Sequence, residues 1–239
     1  YRADYANRIV SMFVANSNST KQHWKGLGLD EEKIKVVYNA VHKEQIKPIN
    51  IHRTWRINKN VGFVIGCVGS FTAGKGHSFL LQTFARLAKL RSDIVLLLVG
   101  DGSLREELVQ ESIKLGIENF LIFTGYSPQA QGIIASLDLL VLPSQSEGFG
   151  RVLLEAMQVG TPIAATDSGG IPEIVEHEHN GFLVNYGDQE GLQKAIERIL
   201  TDQELRSKLI ANGRQTVDLF RIESYETELE HIYRTVIKR

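Results

Sequence analysis

The sequence predicts an α/β fold, a doubly wound parallel sheet of Rossmann-like type, and three observations point there. From residue 60 onward, short β-rich runs alternate with helical patterns, as in a chain of βαβ units. The runs "IVLLLVG" (94 to 100) and "DLLVLPS" (138 to 144) are apolar without interruption, which suits strands covered on both faces. Three of the turns that follow strands are glycine-rich, and each leads into a helical pattern.

Taken in order, strands are expected at 63–69, 94–100, 120–125, 138–144, 162–166 and 181–184. Helices at 77–90, 103–115, 128–136, 150–159 and 171–176 fall between them, with apolar residues at helical spacing. Three more helices are expected at 188–200, 203–219 and 222–237. Residues 1 to about 50 differ: "IVSMFVANSNSTKQHW" reads as strand, Asn/Ser-rich turn and helix, and "IKVVYNAV" as another strand. This opening fits either the first units of the same domain or the tail of another.

A chain of 239 residues, 43% apolar and 23% charged, has material for a sizeable core. Its net charge of -1 gives no general attraction to nucleic acid or to an anionic membrane, so any phosphate binding must be local. The single cysteine, Cys67, sits in "VGFVIGCVG" and reads as a buried, inert thiol. That usage, with no apolar stretch near the roughly 18 residues of a membrane span and no secretory leader pattern, leads us to expect a cytoplasmic protein. The chain opens on Tyr1 without an initiator methionine, and we expect a piece of something longer.

Turns that follow parallel strands share one edge of the sheet, where open α/β folds bind ligands. Here those turns are "GSFTAGKG" (69–76), "GDGS" (100–103) and "SEGFG" (146–150). Glycine lets backbone N–H groups approach an anion, a helix start adds about half a positive charge, and Lys75 adds a full one. The first turn nearly matches a P-loop, with Gly69, Gly74 and Lys75 in place, but Gly76 stands where a hydroxyl should hold magnesium. A nucleotide hydrolase is therefore disfavoured. Gly100 and Gly102 lack the third glycine of a dinucleotide fingerprint, which leaves a nicotinamide enzyme poorly supported. The plain structural alternative is that all these glycines simply shape tight turns.

Glu147 precedes the helix expected at 150–159, and Glu155 lies about one and a half turns into it, placing the two near each other. Around Glu155 the helix is apolar on most sides, so that carboxylate needs hydrogen-bond partners. Sugar hydroxyls are suitable donors. The plain alternatives are an ion pair of Glu155 with Arg151 one turn earlier, and for Glu147 a favourable anion at a helix start. A glycosidase acid and base pair is a further rival, but it predicts no phosphate site. "HEHN" (177–180) offers His177 and His179 without further ligands nearby and reads as exposed histidines rather than a metal centre.

The run E-G-F-G-x-V-x-x-E-A-M-x-x-G-x-P, with Glu147 and Glu155 in E-x7-E spacing, resembles the retaining glycosyltransferases of family 4, which have the two-domain GT-B fold. "VGSFTAGKGHSFLLQTFARL", "LLLVGDGSLREEL", "FTGY", "LDLLVLPSQSEGFG", "GTPIAATDSGGIPEIV" and "NGFLV" follow in that family's order, covering about residues 34 to 200. The resemblance implies the C-terminal, donor-binding domain, with "VVYNAV" (36–41) as its entry. It implies a UDP- or GDP-sugar donor, no prosthetic group and no required metal, in keeping with the lack of a D-x-D motif. Lys75 is implied to bind the diphosphate, Glu155 the ribose and Glu147 the transferred sugar. The backbone amides of Gly148, Phe149 and Gly150 would face sugar and phosphate oxygens, and Tyr126 falls where the family holds the base, unless it is a packing aromatic.

One departure is Ser70, where the family often has an arginine; Arg151 is a candidate replacement for that second cation. A second departure is larger. The family's N-terminal domain, with the acceptor site for a glycan or lipid, would precede this chain. Residues 1–25 are then its remnant or a linker, 26–221 the donor domain, and 222–239 a helix crossing back to the missing domain. Any membrane association would come through that domain, and the chain alone is expected to be inactive. Two other readings stay open: a non-catalytic nucleotide-sugar-binding module, and a sugar-phosphate epimerase or phosphorylase on a related fold.

Overall fold

A computed structural model describes residues 2–42 and 44–237. The chain runs α1 (Arg2–Ile9), β1 (Phe13–Ala15), α2 (Asn18–Gly26), β2 (Ile34–Val36), α3 (Ile51–Thr54), β3 (Phe63–Val68), α4 (His77–Ala88), β4 (Ile94–Val99) and α5 (Arg105–Lys114). It continues through β5 (Leu121–Gly125), α6 (Ala130–Ile134), β6 (Leu139–Leu142), α7 (Arg151–Val159), β7 (Ile163–Thr166), β8 (Phe182–Val184), α8 (Gln189–Thr201), α9 (Gln203–Val217) and α10 (Ile222–Ile237).

Six strands form one sheet in the order β5-β4-β3-β6-β7-β8, all parallel, as doubly wound folds require. Successive residues of a strand face opposite sides, and β4 shows why its run is apolar throughout. Leu96 and Leu98 face the layer of α4, α5 and α8, with Phe84, Leu108 and Ile196. Val95, Leu97 and Val99 face the layer of α6 and α7, with Ile133 and Leu154. At the centre, β3 meets β6 only through Ile65 opposite Leu139 and Gly66 opposite Leu140. The amide of Val64 donates to Asp138 Oδ2 at 2.7 Å at the start of this seam. Burial, partly offset by that bond, pushes the Asp138 pKa up.

The opening residues form a separate pair: β1 lies parallel to β2, with Phe13 opposite Ile34, and joins no other strand among the described residues. Position 25, the expected boundary, falls at the end of α2, and β2 beyond it still belongs to this β1-α2-β2 unit. Helices α1 and α3 were not expected from the sequence. The helix expected at 171–176 is instead a single 3-10 turn, Ile171–Glu173, with Pro172 in it. No helix among the described residues is long and apolar enough to cross a membrane.

Candidate functional site

In a doubly wound sheet the crevice opens where the strand order reverses, beyond the carboxyl ends of the two central strands. Here those strands are β3 and β6, and a cleft of about 190 Å³ opens there. Val68, Gly69 and Ser70 at the end of β3, with Lys75, form one wall; Ser144, Glu147, Gly150 and Arg151 beyond β6 form the other. The amide of Gln145 donates to Gly74 O at 2.8 Å, which ties the two turns together.

The glycines of the first turn have different causes. Gly76 has φ +73°, and a Cβ there would lie 1.8 Å from the carbonyl oxygen of Pro143. No hydroxyl-bearing side chain fits, which explains why the P-loop pattern breaks at this position. Gly74, with φ +84°, is glycine for its backbone conformation. Gly69 has neither reason: it lies outside the left-handed region, and a Cβ would meet nothing within 4 Å. Space, not packing, lies where its side chain would be.

Lys75 Nζ donates to Glu147 Oε2 at 2.8 Å, and Ser144 Oγ lies 3.2 Å from the same oxygen. One turn into α7, Arg151 Nε pairs with Glu155 Oε1 at 3.1 Å, the i, i+4 pair that helix spacing allows. Glu155 is 8% exposed, and burial pushes its pKa up against the pull of Arg151. The cleft walls thus carry two cations, Lys75 and Arg151, against the single carboxylate of Glu147. Glu155 does not line the cleft; its carboxylate holds Arg151, which does.

The remaining expected residues are not among those that line the cleft. Gly100 and Gly102 pack on the first turn, where a Cβ would lie 1.9 Å from Gly69 O and 2.4 Å from Phe71 O, respectively. Tyr126 is 81% exposed and lines no part of the cleft. The Phe149 ring is buried against Tyr38 and Phe220, so only its backbone is available to a ligand. Gly148 offers its carbonyl to Ser17 Oγ at 2.6 Å, which docks the opening unit on the α7 loop. His177 accepts from the amide of Leu183 through Nδ1 at 3.1 Å, a local structural role.

Sequence reasoning missed three contributors. "DSGG" underlies the loop: the amide of Gly170 donates to Glu147 O at 2.9 Å, and a Cβ on Gly169 would lie 1.9 Å from the same oxygen. Ser144 supports Glu147. His77, in the cleft lining beside Lys75, is the third. The two adjacent glycines of "DSGG" were the available signal for the first; nothing in the sequence marked Ser144.

Comparison with known proteins decides what this edge belongs to. The family described as "Glycosyl transferases group 1" matches residues 50–216, well over half of the chain. The chain belongs to the group 1 glycosyl transferases. Among group 1 relatives, N-acetyl-alpha-D-glucosaminyl L-malate synthase of Bacillus anthracis is 35% identical over 172 residues, which are 72% of this chain and 45% of that protein. The lipopolysaccharide core biosynthesis glycosyltransferase LpsE of Rhizobium meliloti is 34% identical over 154 residues, 64% of this chain and 44% of that one. Anabaena HepE, crystallised with UDP and glucose, superposes with a TM-score of 0.90 at 27% identity, covering 98% of this chain and 66% of HepE. The chain spans about half the length of the curated relatives it matches. Its six-stranded parallel sheet is that of the GT-B glycosyltransferases.

Proposed function

We propose that this chain is the donor-binding half of a retaining glycosyltransferase of family 4. It holds a UDP- or GDP-sugar, and the whole protein moves the hexose to a hydroxyl of a glycan or lipid. The observation that carries the reading is the cleft at the β3/β6 switch point, lined by Lys75 and Arg151 and bordered by a glycine, Gly69, with unfilled space where its side chain would be. A relative, HepE, was crystallised with UDP-glucose, which supports a uridine donor.

In such a transfer the bond from the anomeric carbon to the diphosphate breaks, that carbon bonds the acceptor oxygen, and the departing phosphate oxygen takes the acceptor proton, while positive charge builds on the sugar ring. Only groups aimed at the charges of the transition state speed that step. Lys75, Arg151 and the start of α7 would neutralise the leaving diphosphate. Glu147 would give up part of its bond to Lys75 and accept hydroxyls of the sugar, as a positioning group rather than a base. Glu155 would hold the ribose on turning from its pair with Arg151, the amides of Gly148 to Gly150 would face sugar and phosphate oxygens, and Tyr126 would lie against a base reaching beyond the cleft. Neighbouring chain beyond these residues would supply the acceptor site, with α10 reaching towards it, and would carry any membrane association. The reaction would run in the cytoplasm, in keeping with the single buried, unpaired cysteine.

Calorimetric titration with UDP and GDP tests the reading. Binding of one of them, weakened about tenfold or more by Lys75→Ala, is expected, a loss of about 1.4 kcal/mol or more. Absence of binding to both nucleotides would overturn it.

A further inference from the structure

His77 opens α4 two residues after Lys75, and the residue is only 3% exposed. It lies edge-on to Phe71 with centroids 4.9 Å apart, yet neither Nδ1 nor Nε2 has a hydrogen-bond partner among the described residues. Leaving a buried donor or acceptor unpaired is destabilising, and a phenylalanine or leucine would fill the same space against Phe71 without that loss. An orphaned polar ring in a cleft wall therefore points to a partner that arrives from outside the chain. His77 lines the same cleft as Lys75, Glu147 and Arg151.

The character of the ring narrows the partner. Burial first, and the Lys75 ammonium second, push the His77 pKa down to about 4, so near neutral pH the imidazole carries one N–H and one lone pair. Lys75 and Arg151 line the same cleft, and an anion held by them is the group that would meet a ring N–H there.

We infer that His77 is a donor-binding residue, its imidazole giving a ring N–H to a phosphate oxygen of the nucleoside diphosphate seated between Lys75 and Arg151. The inference rests on the donor-site reading above and extends it to a residue outside the E-x7-E pair. It assigns His77 to the phosphates, not to the base or ribose, so its contribution is felt with UDP and not with uridine.

Two measurements test it. Long-range 1H–15N NMR of the wild-type chain reads the imidazole directly: the His77 ring nitrogens are expected to move on addition of UDP and to stay in place with uridine. Calorimetry of His77→Phe, which keeps a ring against Phe71 but has no N–H, is expected to show UDP binding weakened about tenfold, with His77→Gln recovering part of the loss. If wild type binds UDP while its His77 signals stay fixed, or if uridine moves them equally, the assignment of His77 fails and the donor site stands. If wild type binds neither UDP nor GDP, the donor site and His77 fall together. The NMR arm holds even if the variant does not fold.

Discussion

Gly69 and Gly76 bound the same turn and are glycine for opposite reasons, which makes alanine at each an informative pair. At Gly76 a Cβ would collide with the Pro143 carbonyl on a left-handed backbone, so Gly76→Ala is expected to cost about 2 kcal/mol or more, seen as a lowered melting temperature. At Gly69 a Cβ meets no atom of the chain. Gly69→Ala is expected to melt within about 0.5 kcal/mol of wild type and yet to lose UDP binding, because the added methyl takes ligand space. Equal destabilisation by both would contradict the account of the turn. Glu155 gives a second test. Its raised pKa means that the folded state holds the proton longer than the unfolded chain does, so ionising Glu155 lowers stability as pH rises through the carboxylate range. Without ligand, Glu155→Gln is expected to melt at or above wild type at pH 7, with the gap closing as pH falls below about 4.5, while UDP affinity drops. Thermal melts at several pH values read this, and a deficit independent of pH would refute it. The Arg151–Glu155 pair was legible because helix spacing alone allows it; the Lys75–Glu147 pair was not, since it spans two turns joined only by the folded sheet.

Among elements, the buried strands were the most legible, because a run such as that of β4 has to be apolar on both faces to lie between two helical layers. The segment after β7 was misread as a helix. There Pro172 follows two glycines pressed on the α7 loop, and the Asn180 side chain accepts from the amide of Glu176 and donates to the carbonyl of Ile174. Those bonds stand in for the helical ones that would have continued the turn. The same short turn presents Glu173, whose carboxylate accepts from the amides of Asn18 and Ser19 at 2.8 Å each and from Tyr38 Oη at 2.9 Å. Burial pushes the Glu173 pKa up, but those donors together hold it below the ordinary value. The stability it supplies is therefore present above the unfolded carboxylate pKa and lost as pH falls through the folded one. Glu173→Gln is expected to cost about 1 kcal/mol at pH 7, discounted for partial solvent exposure, and little at pH 3. Hydrogen exchange should quicken in α2 while β4 stays protected; unchanged α2 exchange would show that the latch does not hold the opening unit.

At the scale of the molecule, two sheets of unequal size share one chain. A pair of three-residue strands is marginal by itself, whereas β3, β4 and β6 are paired on both sides and covered on both faces. Native-state hydrogen exchange is expected to place β1 and β2 among the fast-opening segments and β3, β4 and β6 at the global limit. Truncating the fully buried Leu97 to alanine is expected to cost about 2–5 kcal/mol and to lower the limit for all six strands together. That the strands are parallel, and hence that the turns after them share one edge, followed from the alternation of runs; the strand order, and which turns meet across the switch point, needed the fold. The central claim is that a nucleoside diphosphate sits at that switch point. A crystal of the chain soaked with UDP-glucose tests it most directly: the account expects the diphosphate between Gly69, Lys75 and the start of α7, with Glu147 turned to the sugar. Electron density for the nucleotide anywhere else on the molecule would contradict it.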